Sequence, residues 1–351
     1  MRRKFLLPLV LLSASSVALS VSSPVNNTFA FNNAVVVQAQ EATTVKVAYL
    51  APHGDKSFAS VTVVLQGDVI VDAQIDEFQF VEGDDWTGVP NSDGAFAEGF
   101  VDGVKLISKR EDSEAYSALM AEKAGSTVAY ADNLDAIEEF AKGKTVAEIE
   151  EGITALNDLG EDGDVSEVVS GATLADSAGY LQAIIDAAND GIEFTGVEAD
   201  AANLELKQDV AAPHGDKSFA IVSAVVDGDT VVAATIDEFQ FVEGDGWTGV
   251  PNSDAPFGEG YAEGVTLISK VQNSDEYSAL MTDIAGSTTS YIDNLKAITT
   301  FAAGKTVAEI EEAIAELQGL GEDGNVADVV SGSTLADTSG YLQAIVDVAN
   351  Q

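Results

Sequence analysis

The chain contains two similar stretches, and the first half of each alternates between apolar and polar residues. Residues 44–49 alternate strictly, which predicts a strand. Residues 61–65 and 69–75 flank a glycine-containing turn, which predicts a β-hairpin, and the second stretch has the corresponding turn at 227–229. Glycine, aspartate and asparagine predominate over 81–98, which predicts a long ordered loop; such loops in compact domains tend to be functional.

The second half of each stretch has the periodicity of amphipathic helices. It predicts helices over 113–124 and 130–141, a third that begins after Thr145, and a fourth from about 174 to 188. Thr145 and Glu148 form a capping-box sequence at the start of the third helix. Because strands precede helices, each stretch predicts an α+β domain, in which helices pack on an antiparallel sheet.

Internal duplication sets the domain organisation. The segment Pro-His-Gly-Asp-Lys-Ser-Phe-Ala at 52–59 returns at 213–220, and Trp-Thr-Gly-Val-Pro-Asn-Ser-Asp at 86–93 returns at 247–254. The copies begin at 52 and 213, and a repeat as long as this spacing indicates two tandem domains rather than a solenoid of short repeats. The predicted division is a signal peptide at 1–39, a first domain at 40–190, a linker at 191–203 and a second domain at 204–351.

The N-terminal residues have the pattern of a secretory signal peptide. Arg2, Arg3 and Lys4 precede the short apolar run 5–12, and small residues follow at which cleavage is expected. No later apolar segment has the length of a membrane span. The sequence therefore predicts a secreted or cell-surface protein without a transmembrane span after signal removal.

Composition excludes several classes of function. The formal net charge of −43 repels nucleic acid and anionic lipid. The chain has no cysteine and only two histidines, so we expect no iron–sulfur, copper or haem centre and no metal site. The acidic segment 161–164 lacks the ligand pattern of a calcium loop and predicts a solvated turn. If the protein transfers electrons, an organic cofactor must carry them.

A duplicated motif before the fourth predicted helix is the main candidate site. Its residues are Ser170, Gly171, Ala172 and Thr173 in the first copy and Ser331, Gly332, Ser333 and Thr334 in the second. One interpretation is structural: Thr173 and Asp176 would form a capping box. The other is functional, because the N–H groups and dipole at a helix start can hold a phosphate that is bonded to the threonine oxygen. Spacing alone does not decide between them.

The motif resembles the attachment sequence of the FMN-binding domain, in which a flavin transferase links FMN to the final threonine or serine by a phosphodiester. The acidic residue six positions earlier in that family corresponds here to Glu167 and Asp328, and Ser333 stands where alanine is usual. Nearly the whole chain after the signal peptide is similar, twice, to Gram-positive extracellular electron-transfer flavoproteins of the pheromone-lipoprotein type.

The resemblance implies two covalent FMN groups, on Thr173 and Thr334. It further implies an electron carrier rather than a stand-alone enzyme, which takes electrons from a membrane quinone-linked dehydrogenase and passes them to extracellular acceptors such as flavins or ferric iron. The lipid anchor of that type requires a cysteine, so the mode of surface retention stays open.

Other residues are weaker candidates. Trp86 and Trp247 are predicted to contact the flavin ring, whereas the phenylalanines of 78–80 and 239–241 are predicted to pack in the core. His53 and His214 are structural or line the flavin pocket. The alternative function is a non-redox cell-surface interaction protein built on the same duplicated domain. A third hypothesis, an electron-input module of a flavin reductase, requires a separate partner subunit.

Overall fold

The computed structural model describes residues 41–83, 85–160, 163–321 and 324–351. The fold is α+β, with two antiparallel sheets and eight α-helices in the described residues. The predicted signal peptide 1–39 lies outside these residues, as does part of the acidic turn 161–164. No helix in the described part is long and apolar enough to cross a membrane.

The first repeat contains one sheet and four helices, in the predicted order. Its strands are β1 (Glu41–Leu50), β2 (Ser57–Gln66), β3 (Val69–Glu82), β4 (Val104–Ser108) and β5 (Lys144–Thr145). Its helices are α1 (Ser113–Ala124), α2 (Tyr130–Ala141), α3 (Val146–Leu159) and α4 (Ser177–Asp190). The predicted hairpin is confirmed as β2 and β3, and the bounds of the first two helices are as predicted.

The second repeat has the same order of elements and gains one strand at its start. Its strands are β6 (Ile192–Ala199), β7 (Glu205–Ala211), β8 (Ser218–Asp227), β9 (Thr230–Glu243), β10 (Val265–Ser269) and β11 (Lys305–Thr306). Its helices are α5 (Ser274–Ala285), α6 (Tyr291–Ala302), α7 (Val307–Gly319) and α8 (Thr338–Ala349). The sheet orders are β4-β3-β2-β1-β6, with β5 on β3, and β10-β9-β8-β7, with β11 on β9.

The segment 191–203 joins the repeats through a strand. β6 pairs antiparallel with β1 and so extends the first sheet. Gly196 of β6 approaches the second sheet closely, because a Cβ there would lie 2.7 Å from the Cβ of Ala233. The connection is therefore packed against both repeats.

Local sequence signals explain the helix ends. The capping box of Thr145 and Glu148 is confirmed at the start of α3, and Thr306 and Glu309 repeat it at α7. α1 ends at Gly125, whose φ of +68° favours glycine. The predicted start of the fourth helix near 174 is wrong: α4 begins at Ser177.

An aromatic core joins the two repeats. The rings of Phe58 and Phe239 lie 5.8 Å apart between centroids, and those of Phe96 and Phe219 lie 5.4 Å apart. The predicted core role of the phenylalanines is confirmed, since Phe78 and Phe239 are fully buried in this cluster. The β3–β4 loop, which includes the short 3-10 helix Ala95–Gly99, reaches the other repeat, where Phe96 N–H donates to the carbonyl of Asp216 at 2.9 Å.

Candidate functional site

Each repeat has a cavity beside its duplicated threonine motif. Site 1 is the cavity of about 360 Å³ around Thr173, and site 2 is the cavity of about 390 Å³ around Thr334. Both volumes fall in the range of small-molecule sites, roughly 300–1,000 Å³. The aromatic and large apolar side chains around site 1 come from α1, α2, α4 and the turn before α4; they are Tyr116, Met120, Tyr130, Leu174 and Tyr180.

The capping interpretation of the threonines is wrong. The N-cap of α4 is Asp176, three residues after Thr173, and no side chain caps this helix end. α8 has the same arrangement, with Asp337 as its N-cap. The threonines lie in the turn before each helix, where both residues are exposed.

A buried asparagine on the preceding helix holds each threonine instead. Oδ1 of Asn133 accepts hydrogen bonds from the Thr173 backbone N–H at 2.6 Å and from its hydroxyl at 3.2 Å. The Nδ2 group of Asn133 donates to the carbonyl of Ala129 at 2.9 Å, which fixes the amide orientation. Asn294 and Thr334 repeat the pair at 2.6 and 3.1 Å. The hydroxyl is thus held in place at the mouth of the cavity.

The small residues of the motif shape this turn. Gly171 has a φ of +95°, and a Cβ there would approach Ala136 Cβ at 3.3 Å. Gly332 has a φ of +93°, and its close neighbour is Ala297, the counterpart of Ala136. Ser170 and its counterpart Ser331 are exposed beside the turn.

The residue before each threonine is fully buried, and the second copy accommodates its extra hydroxyl. Ala172 and Ser333 both have no exposed surface. The Ser333 hydroxyl lies 2.7 Å from the Thr338 hydroxyl, which also donates to the carbonyl of Leu335. The buried Ser333 hydroxyl therefore has a hydrogen-bond partner.

A histidine–aspartate pair stands at the mouth of each cavity. Nδ1 of His53 lies 2.6 Å from a carboxylate oxygen of Asp176, and His214 lies at the same distance from Asp337. The side chains of the pair in site 1 are about half exposed, at 47% and 52%. The histidines therefore line the sites, which was one of the two interpretations of the sequence.

A buried ion pair contacts the tyrosines that line each cavity. Nζ of Lys109 lies 2.9 Å from a carboxylate oxygen of Glu77, and both side chains are almost fully buried. The hydroxyls of Tyr130 and Tyr180 donate to the same carboxylate. In the second repeat Lys270 and Glu238 are 2.7 Å apart, and Glu238 lines site 2 directly.

The pKa shifts of Glu77 and Lys109 both favour the charged form of the side chain. Burial acts to raise the pKa of Glu77, but the Lys109 ammonium and the Tyr130 hydroxyl outweigh it and hold the pKa below its ordinary value. Burial likewise acts to lower the pKa of Lys109, and the Glu77 carboxylate outweighs it and raises the pKa. Each cavity therefore stands beside a fixed, buried positive charge with its counter-ion.

The sequence contains a signal for this cluster in its repeated charged residues. Asp76 and Glu77 are adjacent acidic residues in the interior of β3, and the same two acidic residues recur at 237 and 238 in β9. Lys109 also recurs, as Lys270. Charged residues that are repeated at the interior of a strand indicate buried partners, because unpaired charges there are costly.

The predicted tryptophans lie elsewhere. The Nε1 group of Trp86 donates to the carbonyl of Glu82 at 3.1 Å, and Trp247 makes the same bond to Glu243 at 3.3 Å. Among the described residues, neither tryptophan is part of the lining of site 1 or site 2. The aromatic wall consists of tyrosines instead.

The described residues contain no cluster of three or more histidine, aspartate or glutamate side chains that could hold a metal ion. Comparisons of the chain with models of protein families, with curated proteins and with solved structures found no match.

Proposed function

We propose that this protein is an extracellular electron carrier with two covalently attached FMN groups, one on Thr173 and one on Thr334. One observation carries the proposal: an exposed threonine, whose hydroxyl is held by a buried asparagine, lines a tyrosine-rich cavity in both repeats. A solvent-facing hydroxyl can be modified, and a cavity beside it can take the rest of the attached molecule.

The attachment step is a phosphoryl transfer. Oγ of the threonine bonds to the phosphorus of an activated flavin nucleotide, such as the diphosphate FAD, while the bond from that phosphorus to the departing nucleotide oxygen breaks. The hydroxyl proton leaves with the departing phosphate, and the flavin transferase catalyses the step. Asn133 accepts the hydrogen bond of the Thr173 hydroxyl and so orients Oγ.

The residues fit a flavin at several points. α4 begins four residues after Thr173, so the positive end of its dipole lies near an attached phosphate. The tyrosines offer flat walls to an aromatic ring. The bound flavin would supply the redox chemistry; the chain supplies the tether, the cavity and the charge of the buried lysine.

The donor and acceptors follow from the proposed role. Electrons would come from a membrane quinone-linked dehydrogenase and pass to extracellular flavins or ferric iron. The signal-like segment 1–39 supports export, and the net charge of −43 supports a soluble surface that does not bind nucleic acid. The two repeats, 40–190 and 204–351 with the connection 191–203, would each carry one flavin.

The test is the intact mass of the chain produced together with a flavin transferase. We expect two FMN additions in the natural chain, one in Thr173→Ala or Thr334→Ala, and none in the double variant. Thr173→Ser is the matched control and should keep both additions, because it keeps the hydroxyl. A folded, colourless chain of unmodified mass would overturn the proposal and favour the non-redox surface interaction protein.

A further inference from the structure

The β3–β4 loop and its equivalent, the β9–β10 loop, each bind the histidine loop of the other repeat, which is residues 214–218 for the first and 53–57 for the second. Nδ2 of Asn91 donates to the carbonyls of Gly215 and Ser218 at 3.1 and 2.7 Å. Nδ2 of Asn252 makes the reciprocal bonds to Gly54 and Ser57, at 3.0 and 2.7 Å. The contact is reciprocal, like the interface of a symmetric dimer.

The two asparagines hold unusual backbone conformations. Asn91 has a φ of +66° and Asn252 a φ of +65°, and they are the only described non-glycine residues with positive φ. Such a conformation is unfavourable for most side chains and persists where surrounding contacts fix it. Here it places the amide of each asparagine against the other repeat.

The loops that receive these bonds carry the histidines of the two sites. His214 directly precedes Gly215, and the Ser218 hydroxyl donates back to the His214 carbonyl at 3.3 Å. His214 in turn pairs with Asp337, the N-cap of α8. A chain of contacts thus runs from Asn91 in the first repeat to the turn that holds Thr334 in the second.

The histidine loop is also packed tightly on the helix of its own site. A Cβ at Gly340 of α8 would lie 2.5 Å from the carbonyl of Pro213, and at Gly179 of α4 it would lie 2.6 Å from that of Pro52. Each loop is therefore held between its own helix and the asparagine of the other repeat.

We propose that Asn91 and Asn252 are positioning residues that act across the repeat boundary: Asn91 for site 2 and Asn252 for site 1. Each site is lined by one repeat and its histidine loop is held by the other, so the duplicated chain is an internal dimer rather than two independent carriers. The assignment of these cavities as sites rests on the proposed function, but the positioning itself can be measured without flavin.

The experiment uses the two histidines, which are the only ones in the chain and so report one on each site. The full chain is produced without a transferase and without a histidine tag, and its imidazole ¹H–¹⁵N signals are recorded. Asn252→Gly, which tolerates the positive φ but lacks the amide, should move the His53 signals and leave those of His214 unchanged. Asn91→Gly should do the reverse.

Two further variants test whether the shifts come from the lost amide donor rather than from misfolding. Asn91→Asp and Asn252→Asp keep the side-chain shape but cannot donate, so they should give the same crossed pattern. Hydrogen–deuterium exchange should become faster at 214–218 in both Asn91 variants and at 53–57 in both Asn252 variants. Signals that move in the repeat that carries the substitution, or in neither repeat, would overturn the proposal. Absence of FMN in a transferase experiment would not, because no step of this test contains flavin.

Discussion

The side-chain carbonyl of Asn133 accepts hydrogen bonds from both the backbone amide and the hydroxyl of Thr173. The asparagine is fully buried on α2, whereas the threonine is exposed in the turn before α4. This contact, rather than a helix cap, fixes the orientation of the hydroxyl. It occurs in both repeats with nearly equal distances.

Replacement of this asparagine should impair one site only. In Asn133→Ala, we expect FMN on the Thr173 peptide to fall sharply while the Thr334 peptide stays modified, as measured by peptide mass spectrometry. The free energy of unfolding should fall by about 1–3 kcal/mol, because the Thr173 amide loses its acceptor. Asn294→Ala is the matched control, with the sites exchanged. Full modification of Thr173 in Asn133→Ala would contradict the orienting role.

The buried Lys109–Glu77 pair should be required for stability. Lys109→Met should lower the free energy of unfolding by about 3–5 kcal/mol, because it leaves the Glu77 carboxylate buried without its cation. The double variant with Glu77→Gln should recover most of that loss. Chemical denaturation of the natural chain, of Lys109→Met and of the double variant measures these free energies of unfolding.

An exposed pair provides the control for that experiment. Lys123 and Glu122 lie 3.5 Å apart with most of their side-chain surface exposed. Lys123→Met should therefore change the free energy of unfolding by less than about 1 kcal/mol. Equal losses in Lys109→Met and Lys123→Met would show that the burial of the first pair has no energetic consequence.

The sequence was informative where short-range signals determine the structure. The capping box at Thr145 acts within one turn of chain, and α3 begins where that signal indicates. The glycine-containing turn between 61–65 and 69–75 likewise predicted the β2–β3 hairpin. These features depend on neighbours in sequence, so a single sequence contains them.

Features that depend on distant residues could not be predicted in the same way. Asn133 lies 40 residues before Thr173, and nothing in the local pattern of either residue indicates the contact. The hydrogen bond from Asn91 to the Ser218 carbonyl depends on how the two repeats pack, although the sequence predicted a functional loop over 81–98. The cap expected at Thr173 failed because the helix begins one turn later.

The serine of the second motif should be interchangeable with alanine. Ser333→Ala removes one buried hydrogen bond, but Thr338 keeps its bond to Leu335, so the free energy of unfolding should fall by only about 0.5–1.5 kcal/mol. Modification of Thr334 should remain complete by peptide mass. Ala172→Ser is the reciprocal variant, and the nearby Ser177 hydroxyl offers a partner. A selective loss of FMN at Thr334 in Ser333→Ala would show that this hydroxyl has a direct role.

Two buried aspartates should make stability depend on pH in the acidic to neutral range. Burial raises the pKa of Asp237 to about 7, against the opposing hydrogen bonds from Ser269 and Tyr49. Burial raises the pKa of Asp76 to about 6, where the Ser108 hydroxyl and the Arg110 guanidinium oppose it. Arg110 has no counterpart in the second repeat, because Val271 occupies that position.

Because folding raises these pKa values above 3.8, the folded state binds more protons than the unfolded chain between about pH 4 and pH 7. The stabilisation from the protonated groups is complete below about pH 4 and is lost as pH rises through 6 for Asp76 and 7 for Asp237. For Asp237 the loss is on the order of 4 kcal/mol, at about 1.36 kcal/mol per pKa unit. Free energies of unfolding measured from pH 4 to pH 8 should therefore fall less steeply in Asp237→Asn than in the natural chain. Asp76→Asn should remove a smaller part of the slope, confined to pH below about 6, and an unchanged slope in both variants would contradict the assignment.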